Sequence, residues 1–273
     1  MSAKRSRLLC VLVLLLSPAC DPSWHLAKYD RDIADATKAI EAARGDGELA
    51  RAYTERGRGY SEKARYSRVF NLIDADEYGR LFDLAIEDHD RAVALAPDQA
   101  DVYVGRGRTY YDRAAAEDPS DPETRVLFAS AEADYSAAIE RDGRNAHALD
   151  MLGIVHSASG DYDRAIVDFT REMAIEQRLG RMRLAEAHCR RGSENQKAGH
   201  YEQAISDYEK AIDLGGASSH GCDCQPESPL AWIYYETQQY DKSWEVVKQA
   251  RRSHRFIAPE LIAALETATV QDR

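Results

Sequence analysis

The sequence is short of cations and of long hydrophobic runs. Its 273 residues carry 36 Lys and Arg against 47 Asp and Glu, a formal net charge of −11. Every phosphate contact needs a local cation, so this balance argues against non-specific binding of nucleic acid. The apolar run from Leu8 to Leu16 would rise only about 13 Å as a helix, against roughly 30 Å of bilayer hydrocarbon. It is therefore too short to span a membrane.

Motifs of the common catalytic sites are missing as well. There is no Gly-rich phosphate loop, no His-Glu-x-x-His motif and no nucleophile elbow. The only dense group of potential metal ligands is His220, Cys222 and Cys224, whereas a structural zinc site needs four ligands and usually a second pair elsewhere. We therefore expect no metal, no cofactor and no enzymatic activity.

The three cysteines beyond residue 20 leave three interpretations open. They are simple thiols, or two of them form a disulfide, or the His220–Cys224 loop is a metal or redox site. An oxidising compartment would favour the disulfide. The candidates for this bond are Cys189, Cys222 and Cys224.

The first twenty residues have the layout of an export signal. Three cations among the first seven residues precede the apolar run, and small residues lead to Cys20. The ending Ser17-Pro-Ala-Cys20 resembles the lipobox of bacterial lipoproteins. That resemblance implies cleavage after Ala19, a lipid on Cys20, and anchoring in the bacterial cell envelope, on the periplasmic or outer face of a membrane. The alternatives are a plain secretory signal and an uncleaved anchor.

From residue 50 onward, two short phrases alternate four times. The first phrase centres on a glycine and the second opens on an alanine; in the third and fourth copies these lie 12 residues apart. This spacing predicts two helices joined by a tight turn, with small residues where the helices cross. The repeated positions are Gly57, Gly107, Gly153 and Gly192, followed by Ala85, Ala131, Ala165 and Ala204.

This pattern resembles the tetratricopeptide repeat (TPR), a helix–turn–helix unit of about 34 residues. The resemblance implies an all-α fold, a right-handed superhelical solenoid in which neighbouring units stack to bury their apolar faces. We divide the chain into a signal peptide (1–19), a tether (20–27), a repeat array (28–256), and a capping helix with a tail (257–273). The array comprises a half repeat at 28–45, repeats near 50–97, 100–143, 146–180 and 185–218, and a degenerate repeat at 229–256.

The first two repeats are longer than the others. Their glycine and alanine are 28 and 24 residues apart. We interpret the excess as helices extended by one to two turns that pack on each other. If they do not pack, their apolar residues would form an exposed patch, which would itself suggest a binding site.

In proteins of the TPR family, the first helix of each repeat lines a concave binding groove. Carried onto this chain, the resemblance implies the partner-binding residues Arg51, Thr54, Arg58, Arg108 and Tyr111. Arginines there would suit an acidic or carboxylate-bearing peptide, unless Arg58 and Arg108 pair with carboxylates of the chain itself.

We therefore interpret the chain as an exported, membrane-tethered scaffold that binds a protein or peptide and no nucleic acid. Two alternatives remain: a metal or redox protein that uses the His220–Cys224 loop, and an unlipidated secreted interaction module.

Overall fold

A computed structural model describes residues 22–118, 120–215 and 225–271. These residues form twelve α-helices and no strand, which confirms the all-α class. The expected signal peptide, Cys20, His220, Cys222 and Cys224 lie outside the described residues. The helices are α1 (Pro22–Ala42), α2 (Asp46–Val69), α3 (Ala75–Leu95), α4 (Ala100–Ala114), α5 (Pro122–Arg141), α6 (Ala146–Ala158), α7 (Tyr162–Met173), α8 (Gln177–Lys197), α9 (Tyr201–Asp213), α10 (Glu227–Glu236), α11 (Tyr240–Arg252) and α12 (Pro259–Gln271).

The described chain divides into two compact units, with the boundary between Ala148 and Leu149 in α6. In the first unit, each helix from α1 to α5 packs against the next helix along the chain. In the second unit, the same holds from α7 to α12. Each unit is thus a series of helix–turn–helix pairs, while the right-handed superhelix stays a prediction.

Small residues stand where paired helices cross. A Cβ atom placed on Gly153 of α6 would lie 2.5 Å from Cε1 of Phe169 on α7, far inside van der Waals contact. The glycines of the other three repeats face the second helix of their own pair in the same way, and all four repeat alanines are almost completely buried. The corresponding contacts join Gly57 to His89, Gly107 to Asp134 and Tyr135, and Gly192 to Tyr208.

Two of the turns depend on a backbone that glycine adopts easily. Gly160, between α6 and α7, and Gly199, between α8 and α9, both have a φ of +78°. A side chain at this angle would be strained, whereas glycine has no Cβ to clash. After the first of these turns, the side chain of Asp161 accepts a hydrogen bond from the backbone N–H of Arg164 and caps α7.

The first helix begins earlier than the sequence indicates. We expected residues 20–27 to be a tether, but α1 starts at Pro22. The ring of His25 lies 5.0 Å from that of Tyr66 on α2, and Trp24 lies edge-on to His25 at 5.1 Å. These contacts hold the first turn of α1 against α2, and they are long-range contacts that a local pattern does not show.

Most of the additional residues in the first repeat extend its helices, as expected. The helix α2 runs for 24 residues, and α3 begins at Ala75. Ala64, Tyr78, Leu81 and Phe82 form a buried cluster between these helices, and Ala116, just after α4, packs against it. The extended ends therefore pack, yet three apolar residues at the turn stay exposed: Val69, Phe70 and Leu72.

At the other end of the chain, α12 begins at Pro259 and covers α10 and α11. Leu261 and Leu265 are completely buried there, in a cluster with Ala231, Val247 and Ala250. No described helix is both long enough and apolar enough to cross a bilayer.

Replacing Gly153 with alanine tests the close crossing. We expect Gly153→Ala to lower the free energy of unfolding by about 1–3 kcal/mol, because the new methyl group must displace the Phe169 ring or its helix. The control is Gly79→Ala in α3, where an added Cβ meets nothing within 4 Å. There the change should raise stability by up to about 1 kcal/mol through helix propensity. Urea unfolding compares the two variants, and equal effects would contradict the crossing.

Candidate functional site

Each of the four regular repeats buries an aspartate three residues after its repeat alanine. In the first, the guanidinium of Arg56 donates from Nε to Asp88 Oδ2 at 2.7 Å and from Nη2 to Oδ1 at 2.8 Å. In the second, Arg106 makes the same two-bond contact with Asp134, at 2.9 and 2.7 Å. These pairs join the two helices of one repeat. The arginines before the repeat glycines therefore have a structural role.

In the third repeat a histidine contacts the aspartate, and in the fourth a histidine and an asparagine join the arginine. His156 Nδ1 lies 2.8 Å from Asp168 Oδ2. Asp207 accepts two hydrogen bonds from Arg191 and one from Asn195, and His188 Nδ1 lies 2.9 Å from its Oδ1. Burial raises the pKa of Asp207, but the bonds from His188 and Arg191 outweigh it and lower the pKa to about 2. Asp207 is therefore ionised across the physiological range.

Cys189 does not form a nucleophilic pair with the neighbouring His188. Cys189 is disulfide-bonded, and its partner lies outside the described residues. A sulfur in a disulfide has no thiolate, which is the nucleophilic form of cysteine. The His220–Cys224 loop also lies outside the described residues, so a redox or metal role for it stays a prediction. Within the described ranges, no group of three His, Cys, Asp or Glu side chains could hold a metal ion.

His89 occupies the place that Tyr135, Phe169 and Tyr208 take in the other repeats. Its side chain is 1% exposed, and neither ring nitrogen has a hydrogen-bond partner among the described residues. Burial, and then the nearby charge of Arg106, lowers the pKa of His89 to about 4. The imidazole is therefore neutral at pH 7 and fills space between α2, α3 and α4, as an aromatic side chain does elsewhere.

Glu172 is a buried carboxyl group that sequence reasoning missed. It stands seven residues after Ala165, where the other repeats have Ala92, Ala138 and Ala211. Its exposure is 0%, and neither carboxyl oxygen has a hydrogen-bond partner in the described part of the chain. Burial, with a contribution from Asp150, raises the pKa of Glu172 to about 7, against the opposing charge of Arg183. A glutamate at an alanine position was the available signal.

Two of the five expected binding residues line one open groove. The groove lies between α1 and α2 and has a volume of about 700 Å³. Arg51 and Arg58 border it, and Arg58 is paired with Glu55 in the preceding turn. The other residues that line it are small or charged: Lys28, Asp32, Asp35, Ala36, Ala39, Glu48, Ala52, Glu55, Gly59 and Glu62.

The remaining three expected residues lie elsewhere in the first unit. The hydroxyl of Thr54 donates to the carbonyl of Ala50, and its methyl group faces Gly105 of α4. The ring of Tyr111 lies 6.1 Å from that of Phe128 on α5. Arg108 is 3.7 Å from Asp112, one turn further along α4. Thr54 and Tyr111 therefore contact other helices, and none of the three lines the groove.

A second groove, in the second unit, has a volume of about 640 Å³. The residues Glu186, Cys189, Arg190, Ser193 and Gln196 of α8 line one side of it. Tyr208, the residues at the start of α10 and the exposed ring of Phe256 complete the lining. It is polar along α8 and apolar at Phe256.

The raised pKa of Glu172 makes stability depend on pH. The folded-state pKa of about 7 exceeds the ordinary 4.5, so the folded protein holds the Glu172 proton more tightly than the unfolded chain. The stability gained from this proton is fully present below pH 4.5 and is lost as the pH rises through 7. As the pH rises from about 5 to about 8.5, we expect the ionisation of Glu172 to lower the free energy of unfolding by about 2–3 kcal/mol. In urea unfolding at a series of pH values, Glu172→Gln should not show this decrease in the free energy of unfolding. Glu202→Gln, at an exposed carboxyl, should keep the wild-type slope, and an unchanged slope in Glu172→Gln would contradict the assignment.

Comparisons with known proteins give one sequence match and several weak structural likenesses. A thermophilic TPR protein from Thermus thermophilus is 20% identical over 70% of this chain and 85% of its own, with a TM-score of 0.42. YrrB, a TPR protein with an unusual peptide-binding site, is 17% identical over 86% of this chain and 97% of its own, at 0.45. BtubC from P. vanneervenii is 15% identical over 90% of this chain and 92% of its own, with a TM-score of 0.48.

No curated protein matches the chain. Residues 185–214, which contain the C-terminal part of α8 and all of α9, match the family model of the tetratricopeptide repeat.

Proposed function

We infer that the protein is an exported, membrane-tethered scaffold that binds a protein or peptide between α1 and α2. The observation that carries this inference is the groove of about 700 Å³, with charged residues along its sides. Of its four small residues, Ala39 is exposed to a partner, whereas Ala36, Ala52 and Gly59 are buried where α1 packs on α2.

The charges of the groove favour a partner with basic side chains. Five carboxylates line it against three cations. Two of the cations pair with two of these carboxylates, Lys28 with Asp32 at 3.1 Å and Arg58 with Glu55, which leaves Arg51 against three carboxylates. This differs from the acidic peptide that the arginines alone suggested, because the sequence motif does not show which carboxylates stand opposite them. Complementary charge at such a surface contributes chiefly to association rate and specificity.

The tether in this proposal rests on the first twenty residues. Three cations, an apolar run too short to span a bilayer, and a cysteine after small residues together form the pattern of a lipoprotein signal. The proposed lipid on Cys20 would confine the groove to a membrane surface. A diacylglycerol thioether with a further acyl chain anchors far more firmly than a single acyl chain.

Labelling with a clickable fatty acid in bacterial cells tests the tether. We expect the wild-type chain to incorporate the label and to fractionate with membranes, and Cys20→Ser to lose the label. The control is Cys10→Ser within the apolar run, which removes a thiol from the same segment and should label as the wild type does. Label that persists in Cys20→Ser would exclude lipidation at this residue.

Photo-crosslinking in intact cells tests the groove. A photoreactive amino acid at Ala39, which lines the groove, should capture a partner, whereas the same amino acid at Ala34, exposed on another face of α1, should not. Adding Glu62→Lys should reduce the captured yield at least threefold, because it reverses a charge opposite a basic partner. Equal capture from Ala34 and Ala39 would show that the groove is not the binding surface.

The charge-reversal control lies outside the groove. Arg80 pairs with Glu77 at the same spacing as Arg58 with Glu55 and has similar exposure. Arg80→Glu should leave the capture from Ala39 unchanged. Arg58→Glu should maintain or raise it, and a fall with Arg58→Glu would instead indicate an acidic partner.

A further inference from the structure

A row of aromatic rings connects the start of α1 to the end of α2. Trp24 contacts His25 at 5.1 Å between ring centroids, His25 contacts Tyr66 at 5.0 Å, and Tyr66 contacts Phe70 at 4.7 Å. The row begins two residues after the first described residue, Pro22. It ends one residue beyond α2, at the turn that leads to α3.

Exposed apolar residues lie at both ends of this row. Val69 is 77% exposed, Trp24 and Phe70 are each 50% exposed, and Leu72 is 42% exposed. Four of the eight large hydrophobic residues that the described chain leaves exposed therefore lie at the two ends of this row, Trp24 at one end and Val69, Phe70 and Leu72 at the other. We call Trp24, Val69, Phe70 and Leu72 the aromatic patch. A cluster of this kind is more typical of an interaction surface than of scattered surface hydrophobics.

The cations nearest the aromatic patch are already paired within the chain, so the patch does not favour an anionic partner. Lys28 is bonded to Asp32 at 3.1 Å. Arg68 donates to the carbonyl of Ala116 at 3.1 Å and lies over the ring of Tyr78. Beyond Leu72, Asp74 caps α3 and Asp76 follows it. The surroundings of the patch are therefore neutral to acidic, and its attraction to a partner is apolar.

The position of the chain before Pro22 indicates what covers the patch. Cys20 precedes Trp24 by four residues. An extended chain spans at most about 3.6 Å per residue, so a lipid on Cys20 lies within roughly 15 Å of Trp24. This step rests on the proposed function, because it uses the proposed lipid. Tryptophan is enriched where protein meets the membrane interface, since its ring is apolar and its N–H is polar.

We propose that the aromatic patch is a second membrane contact, which inserts Trp24, Phe70, Val69 and Leu72 into the interfacial region of the bilayer that holds the lipidated Cys20. A lipid alone fixes one point of the chain and leaves the first unit free to rotate. A second contact 45 or more residues away in sequence from Trp24 fixes α1 and α2 relative to the bilayer. The apolar area of the patch and the lipid act together, as two-signal anchors do.

Quenching of tryptophan emission by brominated lipid tests the patch. The protein as the cell processes it, purified in detergent, is reconstituted into phosphatidylcholine vesicles with and without bromine on the acyl chains. We expect quenching that falls at least twofold in Trp24→Phe, because Trp232 and Trp244 lie in a partly buried cluster around α10–α12. The double variant Val69→Ser/Phe70→Ser should reduce the quenching of Trp24 by a similar factor. The control Val167→Ser removes an exposed valine of the second unit and should have no effect.

The outcomes separate this inference from the tether. Intact mass shows whether Cys20 is acylated, so a protein without the lipid would contradict the tether whatever the quenching. In acylated protein, equal quenching in wild type and Val69→Ser/Phe70→Ser would overturn the patch, because the lipid alone would then position Trp24. Stronger quenching when phosphatidylglycerol is added would also overturn it, since that indicates a contact by cations. Crosslinking between two copies through the patch would assign it to a dimer instead.

Discussion

Packing in each repeat depends on a polar contact to a buried aspartate across a helix crossing that small residues allow. Glycine and alanine let two helices approach until the aspartate on the second helix reaches an arginine or histidine on the first. Burial desolvates the carboxylate and raises the pKa of Asp134, and two or more hydrogen bonds offset this cost in the first, second and fourth repeats. Arg56–Asp88 and Arg106–Asp134 show the arrangement in its simplest form. A buried aspartate without its cation would be strongly destabilising, so the glycine and the ion pair constrain each other.

The arginines that hold the fold are separate from those that line the groove. Arg56 and Arg106 point into the crossings, whereas Arg51 and Arg58 point into the groove between α1 and α2. The rigid pair of helices therefore presents a charged surface without using the residues that stabilise it. The proposed membrane contact lies on the same two helices, at the end formed by Trp24 and Phe70. Binding and anchoring would thus share one helical hairpin.

Much of the helix pairing could be predicted from the sequence, and much of the site could not. The twelve-residue spacing of Gly153 and Ala165 implies two helices and a tight turn, because helix periodicity places both small residues on facing sides. The early start of α1 and the inward direction of Thr54 depend on Tyr66 and Gly105, which are distant in sequence. The carboxylates of the groove come from two helices, α1 and α2. A motif within one helix does not show how that helix is rotated against the other, so the charge of the groove could not be predicted. Glu172 was visible as an exception to its alanine column, but its lack of a hydrogen-bond partner among the described residues is a property of three-dimensional packing.

The aspartate stays at one position in the repeat, while the position of its hydrogen-bond donor on the facing helix varies. In the second repeat the donor is Arg106, one residue before the glycine; in the third it is His156, three residues after Gly153. These two positions are four residues apart and so lie on the same face of a helix. In the fourth repeat both are occupied by donors, Arg191 and Asn195, and His188 adds a third. A repeat with two donors can lose either one by mutation and still keep its carboxylate bonded. Such a repeat can exchange one of its donors without leaving the buried carboxylate unpaired.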